Sequence, residues 1–379
     1  MTFNSIIIGG GPGGLASAIR LARLGERVLL IEQRSLPQEK CCGEFLHPSA
    51  VREIQIILGR EPAGTILNRV RISSGKIVRD FPISAKAVSL ERHLLSTMLF
   101  ESALKEGVGV VTGHGAKVTS LTSAGVKVVA GQDRYEAEKL IVAEGASSPT
   151  LRRLGSTRAV SSVVYGFSTR CPAEFSSGVA LAALRGGYAG LCDLGGGFLN
   201  VAGLLSAGAY RRLAPNLPEF GSRLLKEIPA WEGLIPLSLR GTLFQVPVCA
   251  DDIPYRKTVP GPVFVVGDAA GIRETAFGDG IARALRHGRF LEESLKNNSS
   301  DLMRAAQYHA HRIKSDSHRS SRVALTLTGI LLRTPMAAAG LLRLATPWIG
   351  LLAKKATEPA QEPANVFNAN PAAALPKTT

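Results

Sequence analysis

The chain has 379 residues, 45% of them hydrophobic and 20% charged, enough apolar material for one large or two medium cores and too much for a disordered chain. Its five cysteines, Cys41, Cys42, Cys171, Cys192 and Cys249, form neither an even framework nor a C-x-x-C pair, which excludes a disulfide-built scaffold and suits a reducing cytoplasm. The net charge of +15 comes with no nucleic-acid motif and no interleaved aromatics, so nucleic acid is not an expected partner.

Residues 3–8 form a short continuous apolar run ending on glycine, the pattern of a buried parallel strand, and residues 13–24 repeat apolar positions at helical spacing. A second strand is expected over 28–31, ending at Glu32, which completes a βαβ opening. Arg69 to Phe81 alternates around Ser73-Ser74-Gly75 like a hairpin. Ser89 is placed to cap a helix of about four turns through Leu94, Leu95, Met98, Leu99, Ala103 and Leu104, stopped by Gly107. Strands follow near 108–111, 125–129 and 139–143, the last running into Glu144-Gly145.

From about 158 to 256 strand-like runs take over (159–170, 197–205, 239–248), with one helix near 209–227. The dinucleotide pattern resumes at 262–296, helical segments continue to about 355, and the Pro/Ala/Asn-rich tail over 356–379 has the composition of a disordered segment.

Two glycine-rich signatures stand some 250 residues apart. In the first, Gly9-x-Gly11-x-x-Gly14, the first glycine permits the tight turn, the second lets the backbone approach a pyrophosphate, and the third allows close helix packing. The helix start near Pro12 offers free N–H groups and a partial positive charge. Glu32, 18 residues beyond Gly14, is placed to accept from ribose hydroxyls and would repel a 2′-phosphate, so the site favours FAD or NAD over NADP. The second signature is the strand Val263 to Val266 followed by Gly267-Asp268, with Gly278-Asp279-Gly280-Ile281 downstream. A carboxylate after a buried strand can accept from sugar hydroxyls, and a helix start near Asp279 can stabilise negative charge on a reduced flavin.

With the loop Lys40-Cys41-Cys42-Gly43-Glu44 and the helix opening near Arg92 between them, these motifs resemble the p-hydroxybenzoate hydroxylase flavoprotein superfamily and, within it, the geranylgeranyl reductase family. The likeness covers roughly residues 3–295. It implies an α/β fold: a split Rossmann-type FAD-binding domain (1–157, with an inserted hairpin about 66–84, and 257–298), a β-rich substrate domain (158–256) and C-terminal helices (299–355). It implies that Asp268 binds the ribityl chain, that the backbone around Gly278 to Ile281 faces the pyrimidine end of the flavin, and that Arg92 contacts the phosphate and ribityl portion. The expected cofactor contacts are thus Gly9, Gly11, Gly14, Glu32, Arg92, Val118, Asp268, Gly278, Gly280 and Ile281.

By the same resemblance, Cys42 lies by the isoalloxazine and the reacting double bond, where a thiol can influence or supply protonation. Glu44 and His47 in the same loop are further candidates for proton transfer. Three departures bear on the reaction. Tyr188 to Leu194 stands where prenyl reductases carry aromatic tunnel-lining residues, Thr275 stands where a proline usually faces the flavin, and Glu144 replaces the usual aspartate of an Asp-Gly turn. The Trp-x-Trp-x-Ile-Pro motif of the similar flavin halogenases is absent.

The readings that remain are a reductase of a hydrophobic carbon–carbon double bond, a monooxygenase hydroxylating a lipid, polyketide or aromatic substrate, and a non-catalytic flavin or lipid carrier. No second glycine-rich βαβ unit offers a site for NAD(P)H, so the expected electron donor is transiently bound NAD(P)H, reduced ferredoxin or another protein. Histidine spacing supports no metal site. Between Arg286 and Lys355 twelve Lys/Arg face four Asp/Glu, and Arg322, Arg333, Arg343 and Lys354 recur at intervals of 11, 10 and 11 residues. On a helix they share an arc of roughly 80°. Pro335 and Pro347 interrupt it, and apolar runs of about ten residues are too short to span a bilayer. The expectation is a peripheral contact with an anionic membrane at its inner face, the alternative being ordinary packing of C-terminal helices.

Overall fold

The computed structural model describes residues 2–38, 40–155, 160–173, 175, 178–213, 219–235, 242–249, 260–271 and 278–316. Its first strand, β1 (Thr2–Ile8), carries Ile6, Ile7 and Ile8, all buried. A β-branched run with no polar alternation needs apolar cover on both faces, and parallel neighbours provide the site for it. β1 pairs in parallel with β2 (Val28–Glu32) on one side and β9 (Asp133–Val142) on the other. β6 (Gly109–Thr112) extends the sheet beyond β2. β9 is shared: its first half pairs with an antiparallel meander, β7 (Ala116–Thr122) and β8 (Gly125–Ala130), and its second half pairs in parallel with β15 (Val263–Val265). The return of the chain at β15 therefore completes the nucleotide-binding sheet.

On one face of this sheet α1 (Pro12–Arg23), α3 (Arg92–Lys105) and α7 (Gly280–Asn297) bury a core with Ile7, Leu15, Ile19, Leu30, Leu99 and Leu285. α1 and α7 cross closely because Gly288 brings no side chain; a Cβ there would lie 3.2 Å from the Ser17 nitrogen. Buried Arg20 of α1 bridges Glu53 of α2 (Pro48–Leu58) and Glu292 of α7, at 2.9 and 2.7 Å. A further helix spans 302–316.

The second sheet runs β14 (Thr242–Cys249), β10 (Val160–Pro172), β13 (Phe198–Ser206), β12 (Gly187–Gly195), β11 (Gly178–Leu184), β4 (Thr65–Ser74), β5 (Ile77–Ser89), β3 (Phe45–Leu46). Its own core gathers Phe167, Leu199 and Val201 against Leu213 of α5 (Ala207–Leu213), Phe220 and Leu224 of α6 (Phe220–Glu227) and Trp231 of the turn after it. The Phe167 and Phe220 rings meet edge-on at 4.9 Å.

Three expectations need correction. The hairpin assigned to the first part of the FAD-binding domain belongs to the second sheet, because β4 pairs in parallel with β11 from Arg69 opposite Gly178 to Ser73 opposite Ala182. Ser89 caps no helix: it ends β5, its hydroxyl donates to the Asp193 carbonyl, and α3 starts after Glu91. The single helix expected near 209–227 is described as two, α5 and α6. The basic stripe from Arg322 to Lys354 and Thr275 lie outside the described residues, and no described helix is long and apolar enough to cross a membrane.

Candidate FAD site

The end of β1 enters a turn that only glycine can make. Gly9 sits at φ +110, and a Cβ there would lie 2.4 Å from the Ala143 carbonyl oxygen. A Cβ at Gly14 would lie 1.9 Å from the Gly9 oxygen, so α1 and the turn are in backbone contact. Gly11 differs. It is the N-cap of α1, no side chain caps the helix, and a Cβ there would meet nothing within 4 Å. The helix start therefore presents its N–H groups and the positive end of its dipole to a side free of protein atoms among the described residues. Glu32, buried at the end of β2, closes the turn from the other side: its carboxylate accepts from the Gly10 nitrogen at 2.6 Å and the Arg34 nitrogen at 3.0 Å.

The second signature folds back onto the first. After β15 the chain makes a 3-10 turn over Gly267–Ala270 that carries Asp268. A Cβ at Gly13 would lie 3.4 Å from both the Gly267 nitrogen and the Ala284 oxygen, so the first turn of α1, the Asp268 turn and the first turns of α7 touch. Asp268 is half-buried between two arginines. Arg92, buried at the start of α3, feels its charge, and Arg283 of α7 approaches its Oδ1 to 3.7 Å. At the start of α7 Gly278 is at φ +70, where a Cβ would strike the Phe45 ring at 2.4 Å. Among the described residues a Cβ at Gly280 would meet nothing within 4 Å and no side chain caps the helix, while Ile281 packs against the core beneath it. Asp279, the N-cap residue, instead accepts from Arg286. Val118 lies elsewhere, on β7 opposite Val128, packed against the core on the other face of the parallel sheet.

Sequence reasoning did not single out Arg283 or His287. Both fall on the buried side of α7, four residues apart, and a polar pair on the packed face of a helix is the signal that could have found them. His287 accepts from the Gly267 nitrogen at 3.1 Å through Nδ1, fixing the Asp268 turn. Burial, reinforced by Arg283, pushes it well below the ordinary histidine range. His309 on the 302–316 helix, whose Nε2 donates to the Val265 carbonyl at 3.1 Å, is pushed down to about 4 by burial. Both stay neutral in the fold while the unfolded chain takes up protons below about 6.5. Their contribution to stability is therefore constant above that pH and falls as the pH drops from about 6.5 towards 4, by up to about 3 kcal/mol from His309 alone. Urea midpoints at pH 7 and 5 should show the fall, and His309→Gln should reduce it; a midpoint independent of pH refutes this account.

The Cys41–His47 loop crosses from the first sheet to the second. Glu44 adopts φ +56, unusual for a non-glycine residue. It is held there by four contacts: its nitrogen donates to Cys42 Sγ (3.3 Å), its carbonyl accepts from the Leu90 nitrogen (2.9 Å), and its Oε1 accepts from Arg170 Nη2 (2.7 Å) and the Arg92 nitrogen (3.3 Å). Glu44 thus organises the loop as an ion-paired anchor. His47 Nδ1 accepts from the Ser49 nitrogen at 3.2 Å and caps α2. Cys42 is tied to the second sheet by Asn200, whose Nδ2 donates to the Cys42 carbonyl at 2.8 Å and which pairs across the strands with Cys192. Burial pushes the Cys42 thiol up, with the Arg92 charge opposing; the Cys41 thiol is pushed up to about 11 by burial. Phe45 of the loop packs, with Ile83, against a small apolar cluster of Leu67, Ala87 and Cys192.

Glu144 accepts from the Thr150 nitrogen at 2.9 Å, Thr150 Oγ1 at 3.0 Å and Ser148 Oγ at 3.1 Å, so it fastens the start of α4 (Pro149–Arg153). Tyr188 to Leu194 forms part of β12, an interior strand of the second sheet.

This arrangement suits FAD: an uncapped helix with a side-chain-free N-cap for the diphosphate, a carboxylate at the end of β2 for the ribose, a half-buried carboxylate between arginines for the ribityl end, and a second uncapped helix start at Gly280. Comparison with known proteins points the same way. The family described as pyridine nucleotide-disulphide oxidoreductase matches residues 3–168. A menaquinone reductase of Mycobacterium tuberculosis is 30% identical over 336 residues, spanning 79% of this chain and 77% of that protein. The fold is shared with a geranylgeranyl bacteriochlorophyll reductase-like protein of Thermoplasma acidophilum (TM-score 0.69, 21% identity, covering 94% and 99% of the two chains). It is shared also with PqsL of Pseudomonas aeruginosa, described as a probable FAD-dependent monooxygenase (TM-score 0.70, 17% identity, 90% and 100%). The chain belongs, with this menaquinone reductase, to a family of FAD-dependent oxidoreductases.

Proposed function

We propose that this FAD-dependent oxidoreductase reduces a carbon–carbon double bond in a quinone or another isoprenoid-bearing lipid. The observation that carries the reading is the placement of Cys42: one residue in a loop pinned to the FAD-gripping side by Glu44 and Arg92, and to the apolar roof of the second sheet by Asn200. The similarity to menaquinone reductases supports the substrate class. Reduced FAD supplies the hydride for such a reaction. Cys42, kept protonated at neutral pH by its burial, is placed to deliver the proton to the other carbon, and Arg92 beside it eases the charge left on sulfur. Leu67, Ala87, Cys192 and Phe45 keep water from that transfer. NADH, NADPH and reduced ferredoxin are the candidate electron donors. The cationic segment from Arg322 to Lys354 is the proposed means of reaching a lipid held in a bilayer.

The test uses holoenzyme reduced under argon and mixed with menaquinone in detergent. The expected result is flavin reoxidation without oxygen and a product that, after any quinol has been reoxidised to the quinone in air, remains heavier by two hydrogens in its mass spectrum. A product that forms only in air and carries an added oxygen atom would overturn the reading in favour of monooxygenation.

A further inference from the structure

We propose that Arg283 is a second cationic anchor for the FAD diphosphate, gripping it from α7 while Arg92 grips it from α3. This concerns the cofactor and is independent of which substrate is reduced.

The inference starts from an imbalance of buried charge. Arg283 and Arg92 are 6% and 9% exposed. Among the described residues neither guanidinium makes a hydrogen bond, and Arg283 Nε is buried without a partner. Among the described residues Asp268 is the one carboxylate on which both arginines lean, and Arg92 lies beside the Cys42 thiol as well. For Arg283 that contact is 3.7 Å from Nη2 to Oδ1, too long for a hydrogen bond. The other carboxylates nearby have partners of their own: Glu44 takes Arg170 on Oε1, with its Oε2 buried and unbonded, Glu32 takes the Gly10 and Arg34 nitrogens, and Asp279 takes Arg286. The Cys42 thiol, held protonated, offers no charge. Two buried cations therefore share one anion, and a buried charge left unpaired is costly enough that the arrangement points to a further anion.

The position identifies which part of the cofactor supplies it. Ala284, the neighbour of Arg283, presents its carbonyl 3.4 Å from where a Gly13 Cβ would stand, and the Gly267 nitrogen lies at the same distance. Arg283 is thus carried on the turn of α7 that touches the first turn of α1, beside the uncapped helix start that suits a diphosphate. A guanidinium fork matches phosphate oxygens with two parallel hydrogen bonds, which a lysine at the same place cannot do.

The experiment strips FAD from the full chain and titrates it back, following flavin fluorescence, for the wild type, Arg283→Met and Arg283→Lys. ADP-ribose, which carries the diphosphate without the flavin, is titrated in parallel by calorimetry. With Arg283→Met the expected result is an FAD Kd raised about tenfold or more, an equal loss for ADP-ribose, and a flatter dependence of Kd on salt because one phosphate contact is gone. Removing an unpaired buried cation is also expected to leave the FAD-free melting temperature unchanged or higher. Unchanged FAD affinity, or FAD weakened while ADP-ribose binds as before, overturns the proposal; the second result would assign Arg283 to the flavin end. If the methionine variant does not fold, Arg283→Lys carries the test. An FAD Kd raised several-fold with the wild-type salt dependence supports the fork, and wild-type affinity sinks it.

Discussion

Gly11→Ala leaves the fold intact and strips it of FAD, whereas Gly14→Ala damages the fold itself. The two glycines stand three residues apart in one motif, yet the space around them is opposite. At Gly11 the backbone is at φ −73 and ψ 179, a conformation any residue adopts, and among the described residues the added methyl would meet no protein atom within 4 Å. The melting temperature of FAD-free protein should therefore match the wild type within a few degrees. That methyl would occupy the side from which a diphosphate approaches the α1 N–H groups. Losing one charge-assisted hydrogen bond at about 1.5–3 kcal/mol weakens FAD by roughly ten- to two hundred-fold. At Gly14 the new Cβ would stand 1.9 Å from the Gly9 oxygen. Because that atom is backbone, the contact is relieved only by moving α1 off β1, at a cost of about 3 kcal/mol or more. Absorbance at the flavin maximum and denaturant midpoints of both variants check the pair. A Gly11→Ala protein that purifies fully yellow would sever the link between this cradle and the cofactor.

The nucleotide-binding half was legible in the sequence because its constraints are local. Ile6-Ile7-Ile8, three glycines at fixed spacing and an acid at the end of β2 each report a backbone requirement within about 30 residues of the others. The second sheet was harder to read because strand partnership is not local. The Thr65–Ser89 hairpin alternates as a hairpin should, but nothing in that alternation says that its partner is β11, more than 100 residues on. β11 and β12 were missed as strands because they are built of alanine, glycine and leucine and buried on both faces in places, leaving no alternation to detect. Loop chemistry fell between the two. His47 reads as a proton carrier by residue type, but the His-Pro-Ser order that makes it a helix cap was visible, with proline at the first helical turn and Ser49 two residues on. Glu44 likewise looks acidic in sequence, and only the fold shows Arg170 arriving from β10 to pair with it.

Cys42→Ala is expected to lower the rate of double-bond reduction by about 10²–10⁴, the usual worth of a positioned general acid, with FAD content and the rate of flavin reduction by the electron donor unchanged. The split is the diagnostic part. FAD is held by the glycine turn, Glu32, Arg92 and Asp268 on the proposed reading, and the Cys42 side chain contributes to none of the backbone contacts that keep the loop in place except the one from the Glu44 nitrogen. Loop position is secured instead by the Glu44–Arg170 pair and by Asn200 on the Cys42 carbonyl, which alanine preserves. Cys42→Ser should not restore the rate, since a hydroxyl is a far weaker acid than a thiol. The pH profile supplies a second readout. Burial raises the Cys42 thiol above its ordinary value of 9.0, so the protonated form persists across neutral pH and is lost only on the alkaline side. The wild-type turnover number should stay level through neutrality and decline above pH 9, while the alanine variant shows no such decline. Equal losses in flavin reduction and substrate reduction would assign Cys42 to the architecture of the loop, and the proton would have to come from elsewhere.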